Sequence, residues 1–261
     1  MKPQAQLALS ATRHHVTAPL GDPFADLEAG RFPELALTAY LPATAQGVFD
    51  AGYHAAGFSE VARHAEDRLG PRELEALRRE SAEVAAYLEV ARPPQHLGLA
   101  VFACRPAGLL EVWRLRGEVE ADLQVAQRLN PGPIRERLVV QPPALVLVAD
   151  KEKARVFSVV LEHVVEQVEF TGREVHVRAS PHIRQHKQEE RARANLAVVV
   201  GWLVHADDTF VKRVYLAGPP EARSELRRLL PPRFLAKVAG ELHLPLYASP
   251  GEIAEQLRGL V

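Results

Sequence analysis

The hydrophobic positions in this chain run more often as short strands than as helical stripes. Leu35–Leu41 is apolar enough for a strand, and Pro42 stops it. Leu97–Cys104 is a continuous apolar run of strand length, the pattern of a strand buried on both faces. Leu109–Leu115 follows as a second strand, with Trp113 as a large anchor. Helical spacing lies between these strands. Ser59 caps a predicted helix in which Val61, Ala65 and Leu69 recur, and Gly70-Pro71 ends it. Gly47–Gly57 before it reads as a loop. From about Arg72 to Ala91 the stripe Leu74, Leu77, Val84, Ala85 and Leu88 predicts a second helix, so the two form a hairpin. Residues 1–33 are polar and Pro-spotted, a weakly structured lead-in.

Asn130-Pro-Gly-Pro133 is the strongest breaker cluster, and the domain boundary is placed just after it. Two domains are expected: 1–136, an α/β unit with the helical hairpin, and 137–261, a mixed sheet covered by helices. The second opens with four predicted strands: Ala144–Ala149, Ala154–Leu161, Val164–Phe170 and Glu174–Arg178. A basic loop, Ser180-Pro-His-Ile-Arg-Gln-His-Lys-Gln188, then leads into a helix over 189–206. Arg213–Ala217 reads as a strand ending at Gly218, and Pro219-Pro220 opens a helix to about Leu230. Phe234–Gly240 reads as a short helix and Leu242–Tyr247 as a strand. Pro250–Leu260 is a closing helix capped by Ser249.

Charge sharpens this division. The whole chain carries a net −1 over 261 residues, but residues 1–136 hold 14 Lys and Arg against 18 Asp and Glu, and the remainder holds 18 against 15. The second domain is therefore the one suited to phosphate, through a mild excess of cations. One cysteine, Cys104, excludes an internal disulfide and a Cys-rich metal site, and fits a reducing cytoplasm. Cys104 follows an apolar strand and reads as a buried structural thiol. No run approaches the roughly 20 apolar residues of a membrane span.

Candidate chemistry concentrates at 178–193. Arg178, Arg184, Lys187, Arg191 and Arg193 outnumber Glu189 and Glu190 there and suit RNA phosphate. A solvated helix start explains the same charges, because acids are favoured in a first turn. His176, His182 and His186 match no zinc spacing, so no metal and no cofactor are expected. Asp150, Asp207 and Asp208 would serve a two-metal nuclease only if the fold paired them.

The order of elements resembles the first two domains of the archaeal and eukaryotic class-1 peptide chain release factors and their bacterial relatives. Leu37-Thr-Ala-Tyr-Leu-Pro42, the helical hairpin and Gly98-Leu-Ala-Val-Phe-Ala-Cys104 carry the likeness in the first half. Arg184–Arg193 and Val214-Tyr-Leu-Ala-Gly218 carry it in the second. The resemblance implies an RNase H-like α/β second domain and a cytoplasmic protein whose partner is the ribosome or tRNA, with no role for DNA or a membrane. It also implies peptidyl-tRNA ester hydrolysis in which Gln185 or Gln188 positions water, while the cations hold RNA. The family's Gly-Gly-Gln is missing: no glycine lies between Gly172 and Gly201. Without glycine, side chains crowd the close backbone approach that such chemistry requires. A non-hydrolytic ribosome-binding role therefore stands beside the hydrolytic one. The turn Leu69-Gly70-Pro71 is too short for codon reading, and the third domain expected of the family does not follow Val261. The rival reading is a protein-interaction module on the same scaffold. Oligomeric state is left open.

Overall fold

The computed structural model describes residues 20–30, 32–44, 52–173 and 181–260. They form two compact units, one over 23–139 and one from Val140 onward that also takes in Leu20–Asp22.

The first unit is a four-stranded antiparallel sheet. Strands β1 (Ala36–Leu41), β2 (Gly98–Cys104), β3 (Leu109–Leu115) and β4 (Asp122–Ala126) lie in the order β3-β2-β1-β4. Every residue of β1 and β2 is buried, as their unbroken apolar runs require. On one face Leu37, Ala39, Leu41, Leu99, Val101 and Ala103 pack beneath helices α2 (Tyr53–Glu66) and α3 (Pro71–Ala91), which follow the short α1 (Ala25–Ala29). The alternate residues face the other way. Tyr40 and Phe102 meet edge-on at 6.4 Å, Phe24 lies 4.6 Å from Trp113, and the Tyr40 hydroxyl donates to the Asn130 carbonyl at 2.7 Å.

Three expectations are corrected here. Helix α2 begins at Tyr53, so Ser59 is interior and its Oγ donates to the Ala55 carbonyl at 2.9 Å. The buried stripe of His54, Phe58, Ala62 and Ala65 continues through the segment read as loop. Gly57 is accommodated because nothing surrounds its Cβ position. Positions 45–51 of that loop lie outside the described residues. Strand β4 was not anticipated, since only Leu123 and Val125 of an otherwise polar edge strand are buried. Helix α4 (Gly132–Val140) starts within the breaker cluster, with Asn130 Oδ1 accepting from the Gly132 amide at 3.1 Å.

A buried carboxylate joins the layers. Glu80 on α3 is wholly buried; it accepts from Arg79 Nε and from the Arg105 amide, each at 2.7 Å. Arg79 also pairs with Glu34 and donates to the Leu35 carbonyl at 2.9 Å. One acid thus ties α3 to the start of β1 and the end of β2. Cys104 is buried beside this group, and desolvation pushes its thiol up.

The second unit holds β5 (Ala144–Ala149), β6 (Lys153–Val160), β7 (His163–Thr171), β8 (Arg213–Ala217) and β9 (Val238–Leu242) in the order β7-β6-β5-β8-β9. β5, β6 and β7 pair antiparallel, while β8 and β9 run parallel to β5. That is the RNase H-like arrangement, a mixed sheet with helices on both faces. Leu145, Leu147, Val156, Val214 and Leu216 lie under α5 (Pro181–His205) and α6 (Pro220–Leu229). Val146, Val148, Phe157 and Tyr215 lie on the face that buries Ile253 of α8 (Pro250–Arg258), whose start is a full capping box of Ser249 and Glu252. Strand β9 occupies much of the segment read as a helix; only α7 (Pro232–Leu235) is helical there. β9 shows an exposed, alternating pattern at the sheet edge, which reads poorly as a strand from sequence. Gly218 has φ +112°, and a Cβ there would fall 1.9 Å from the Ala149 carbonyl oxygen, so the ends of β5 and β8 approach only over glycine.

The far end of α5 is firmly anchored. Arg233 Nη2 reaches the carbonyls of Leu203, Val204 and Ala206 at 2.7–3.1 Å, satisfying acceptors that a helix end leaves without partners. Asp208 accepts from Lys237 Nζ at 2.5 Å and lies 3.4 Å from Arg233.

Glu80→Ala strips a buried amide and a guanidinium of their acceptor. It should lower the urea midpoint of the unit containing α3, at a cost of about 3 kcal/mol; a midpoint within error of wild type would refute this role. Lys237 holds the Asp208 carboxyl below the usual range. Its contribution is thus complete above the unfolded-state value of about 4 and is lost as pH falls through the lower folded value. Asp208→Asn should flatten the acid limb of stability below about pH 4, read by circular dichroism.

Candidate functional site

The segment expected as a basic loop is the opening of a helix. Residues 181–188 form the first two turns of α5, which runs for 25 residues, roughly 37 Å. Pro181 supplies the fixed φ favoured at a first helical position, and the residues after it are mostly long, unbranched side chains of good propensity. Residues 174–180, which include the predicted strand to Arg178 and His176, lie outside the described residues. So do the side chains of His182, Arg184, Gln185 and His186.

Burial divides the helix in two. Its core contacts are Leu196, Val199 and Leu203, each nearly solvent-free. Toward the N-terminus Lys187, Glu189, Glu190 and Arg191 are all exposed, and only Gln188 is half-buried. Among the described residues of this part, Gln188 and Ala192 are half-buried and line the side facing α6.

Asn195 sets where the division falls. Its Oδ1 accepts from the Arg173 amide, and its Nδ2 donates to the carbonyls of Lys151 and Arg173, all at 2.9 Å. The side chain therefore joins α5 to the β5–β6 turn and to the end of β7. Gly172 makes room for it: a Cβ there would lie 2.2 Å from Asn195 Cγ. The Gly172 amide donates to the Glu152 carbonyl at 2.6 Å, closing the same corner. Sequence reasoning missed Asn195, whose only signal was a lone amide in an otherwise Arg-Ala stretch.

Between α5, α6 and the β5–β6 turn lies a groove of about 700 Å³. Ala192, Leu196 and Ala222 line it with Gln188, and its charged lining holds Lys151, Arg193 and Arg228 against Glu189, Glu190, Glu221 and Glu225. Arg193 and Arg228 each lie 3.1 Å from Glu225. Of the predicted cations, Arg193 is thus ion-paired yet 59% exposed, and Lys187 has no ion-pair partner among the described residues. Gln188 faces the groove; Gln185 lies one turn earlier on the same helix.

The three aspartates are not brought together as a nuclease would need. Asp150 Oδ1 accepts from the Glu152 and Lys153 amides at 2.7 Å, shaping the turn. Asp207 accepts from Thr209 at 2.6 and 2.9 Å, and Asp208 holds Lys237. No group of three or more His, Cys, Asp or Glu side chains suited to a metal ion occurs among the described residues.

Residues 133–258 match the family model described as Bacterial archaeo-eukaryotic release factor family 10, so the second unit is a release-factor-like domain. No curated protein matches the chain. Among solved structures, the chain is similar to an archaeal translation termination factor, aRF1, at 13% identity over 90% of this chain and 70% of that one, with a TM-score of 0.33. It is similar to Pelota of Archaeoglobus fulgidus at 18% identity over 63% and 46%, TM-score 0.33. It is similar to Pelota of Thermoplasma acidophilum at 11% identity over 62% and 48%, TM-score 0.34.

Asn195→Ala should cost about 1–2 kcal/mol by removing three hydrogen bonds and leaving backbone groups to water. Hydrogen exchange should quicken at the Arg173 amide while the Leu196–Leu203 amides stay protected. Unchanged exchange at Arg173 would mean that the corner holds without the amide.

Proposed function

We propose that, because its second unit is release-factor-like, this chain is a translation protein that binds the ribosome or tRNA through the exposed cations Lys187, Arg191 and Arg193 of α5. The observation that carries the reading is the exposure of Lys187, Arg191 and Arg193 on a helix segment held away from the core by Asn195. Arg193 is 59% exposed although paired with the half-buried Glu225, which Arg228 also meets, so the carboxylate keeps one cation if Arg193 turns to a phosphate. Arg184 and Arg178 extend the same stretch of sequence. A cytoplasmic setting fits such a role, and no described helix is long and apolar enough to cross a membrane.

The reading favours binding without hydrolysis. Positioning water beside a peptidyl ester requires backbone to come close to the tRNA end. Here 181–188 is helical, so its later amides are committed within the helix. Gln188 leans into a groove beside four glutamates, a setting that repels the phosphates flanking an ester.

The test is salt-dependent co-sedimentation with ribosomes. Wild type should bind at about 50 mM salt and weaken steeply by about 200 mM. Lys187→Glu/Arg191→Glu/Arg193→Glu should bind at least tenfold less and show a salt slope shallower by roughly one for each phosphate the variant no longer holds. No association even at low salt would favour the protein-interaction reading. A peptidyl-tRNA release assay completes it: wild type and Gln185→Ala/Gln188→Ala should both stay at background. Release by wild type that the double variant loses would restore the hydrolytic role.

A further inference from the structure

The segment between β9 and α8 holds an aromatic ring in an unusual state. Tyr247 is 71% exposed, yet the backbone on either side of it is fixed. Leu244 and Ala248 are buried in the core beneath α8. The Ala248 amide donates to the Pro245 carbonyl at 3.0 Å. Arg155 Nη1 donates to the carbonyls of Leu246 and Ala248 at 3.1 and 3.0 Å, gripping both neighbours of Tyr247. The ring is therefore displayed from a rigid turn. Little of the ordering entropy of a flexible loop would be lost on binding.

Cations surround the ring. Lys153 Nζ donates to the Tyr247 hydroxyl at 3.2 Å and lies 5.4 Å from the ring centroid. Lys151 and Arg173, both exposed, share the Asn195 clamp and so sit at the same end of the sheet. Three acids lie close by as well, each with its own setting. Asp150 is engaged by turn amides, Glu152 is half-buried, and Glu169 stands 4.0 Å from Lys153. Lys151 also lines the groove beside α5, which makes this surface continuous with the helix cations.

We infer that Tyr247 is a stacking platform for a base of single-stranded RNA, with Lys151, Lys153 and Arg173 holding the adjoining phosphates. This rests on the RNA-binding reading above and adds a site that the α5 cations do not supply. A flat ring offers its face to any base, so the site has little sequence preference. The Lys153 ammonium can turn from the hydroxyl to a phosphate, because its stem is long and it leaves only one hydrogen bond and a 4.0 Å approach to Glu169.

The experiment measures fluorescence anisotropy of a labelled eight-nucleotide oligoadenylate at several salt concentrations. Tyr247→Ala should weaken binding roughly 5- to 100-fold, the range of one lost base–aromatic stack. It should leave the salt slope unchanged, since the phosphates keep their cations. Tyr247→Phe should bind within about twofold of wild type. Lys151→Ala/Lys153→Ala should reduce the slope. Wild-type affinity in Tyr247→Ala would overturn the platform, as would equal weakening in the Ala and Phe variants, which would assign the effect to the hydroxyl tether. If Lys187→Glu/Arg191→Glu/Arg193→Glu loses the oligonucleotide while Tyr247→Ala does not, the platform fails and the helix reading stands. If wild type binds neither oligoadenylate nor ribosomes, both fail.

Discussion

The amide of Asn195 is the contact on which the second unit's working surface depends. Three hydrogen bonds from one side chain fasten α5 to the β5–β6 turn and the end of β7. The apolar seam of Leu196, Val199 and Leu203 begins one residue later. Beyond the clamp no side chain on the N-terminal side is fully buried among the described residues. Hydrophobic burial scales with apolar area removed from water, so the C-terminal half of the helix is the part held by the core. Continuity of a single helix turns this into reach. The anchored half, capped by Arg233 at its far end, aims the other half as a rigid rod.

That division accounts for the pattern of charge. A helix segment that buries nothing can carry Lys187, Glu189, Glu190, Arg191 and Arg193 on every side without desolvation cost. Glu225 meets both Arg193 and Arg228, so the groove beside α6 is nearly balanced, while Lys187 lies outside that balance. A polyanion approaching the rod meets cations whose present partners are exposed and weak. One entering the groove meets Glu189, Glu190, Glu221 and Glu225 instead. The same helix thereby offers phosphate a favourable outer face and an unfavourable inner one.

Much of the fold was legible because burial leaves a strong pattern. Continuous apolar runs at Ala144–Ala149 and Leu97–Cys104 are strands buried on both faces, and nothing else of that length fits. Ser249 announced a helix start that the structure builds as a complete capping box with Glu252. The errors share one physical cause. Gly57, Ser59 and Pro181 are breakers or caps in isolation, but an apolar stripe or a first-turn position overrides them. Strands β4 and β9 bury only part of one side, so their signal is weak. The contacts at the sheet's corner were harder still. Asn195, Gly172 and Tyr247 act through a corner between elements distant in sequence, and a side chain that bridges such elements has no local spacing to betray it.

The change from loop to helix at 181–188 bears on chemistry as much as on shape. A glycine-bearing loop can present backbone amides to a reacting ester, since glycine accepts conformations closed to other residues. A helix spends those amides on carbonyls four residues back, apart from the first turn. None of the seven residues after Pro181 is a glycine. A surface of this kind is suited to lie along a phosphate backbone, where contacts repeat and tolerance of position is wide. It is poorly suited to a reaction in which an error of about 1 Å costs about a hundredfold in rate. The same residues that make α5 continuous therefore favour recognition over hydrolysis.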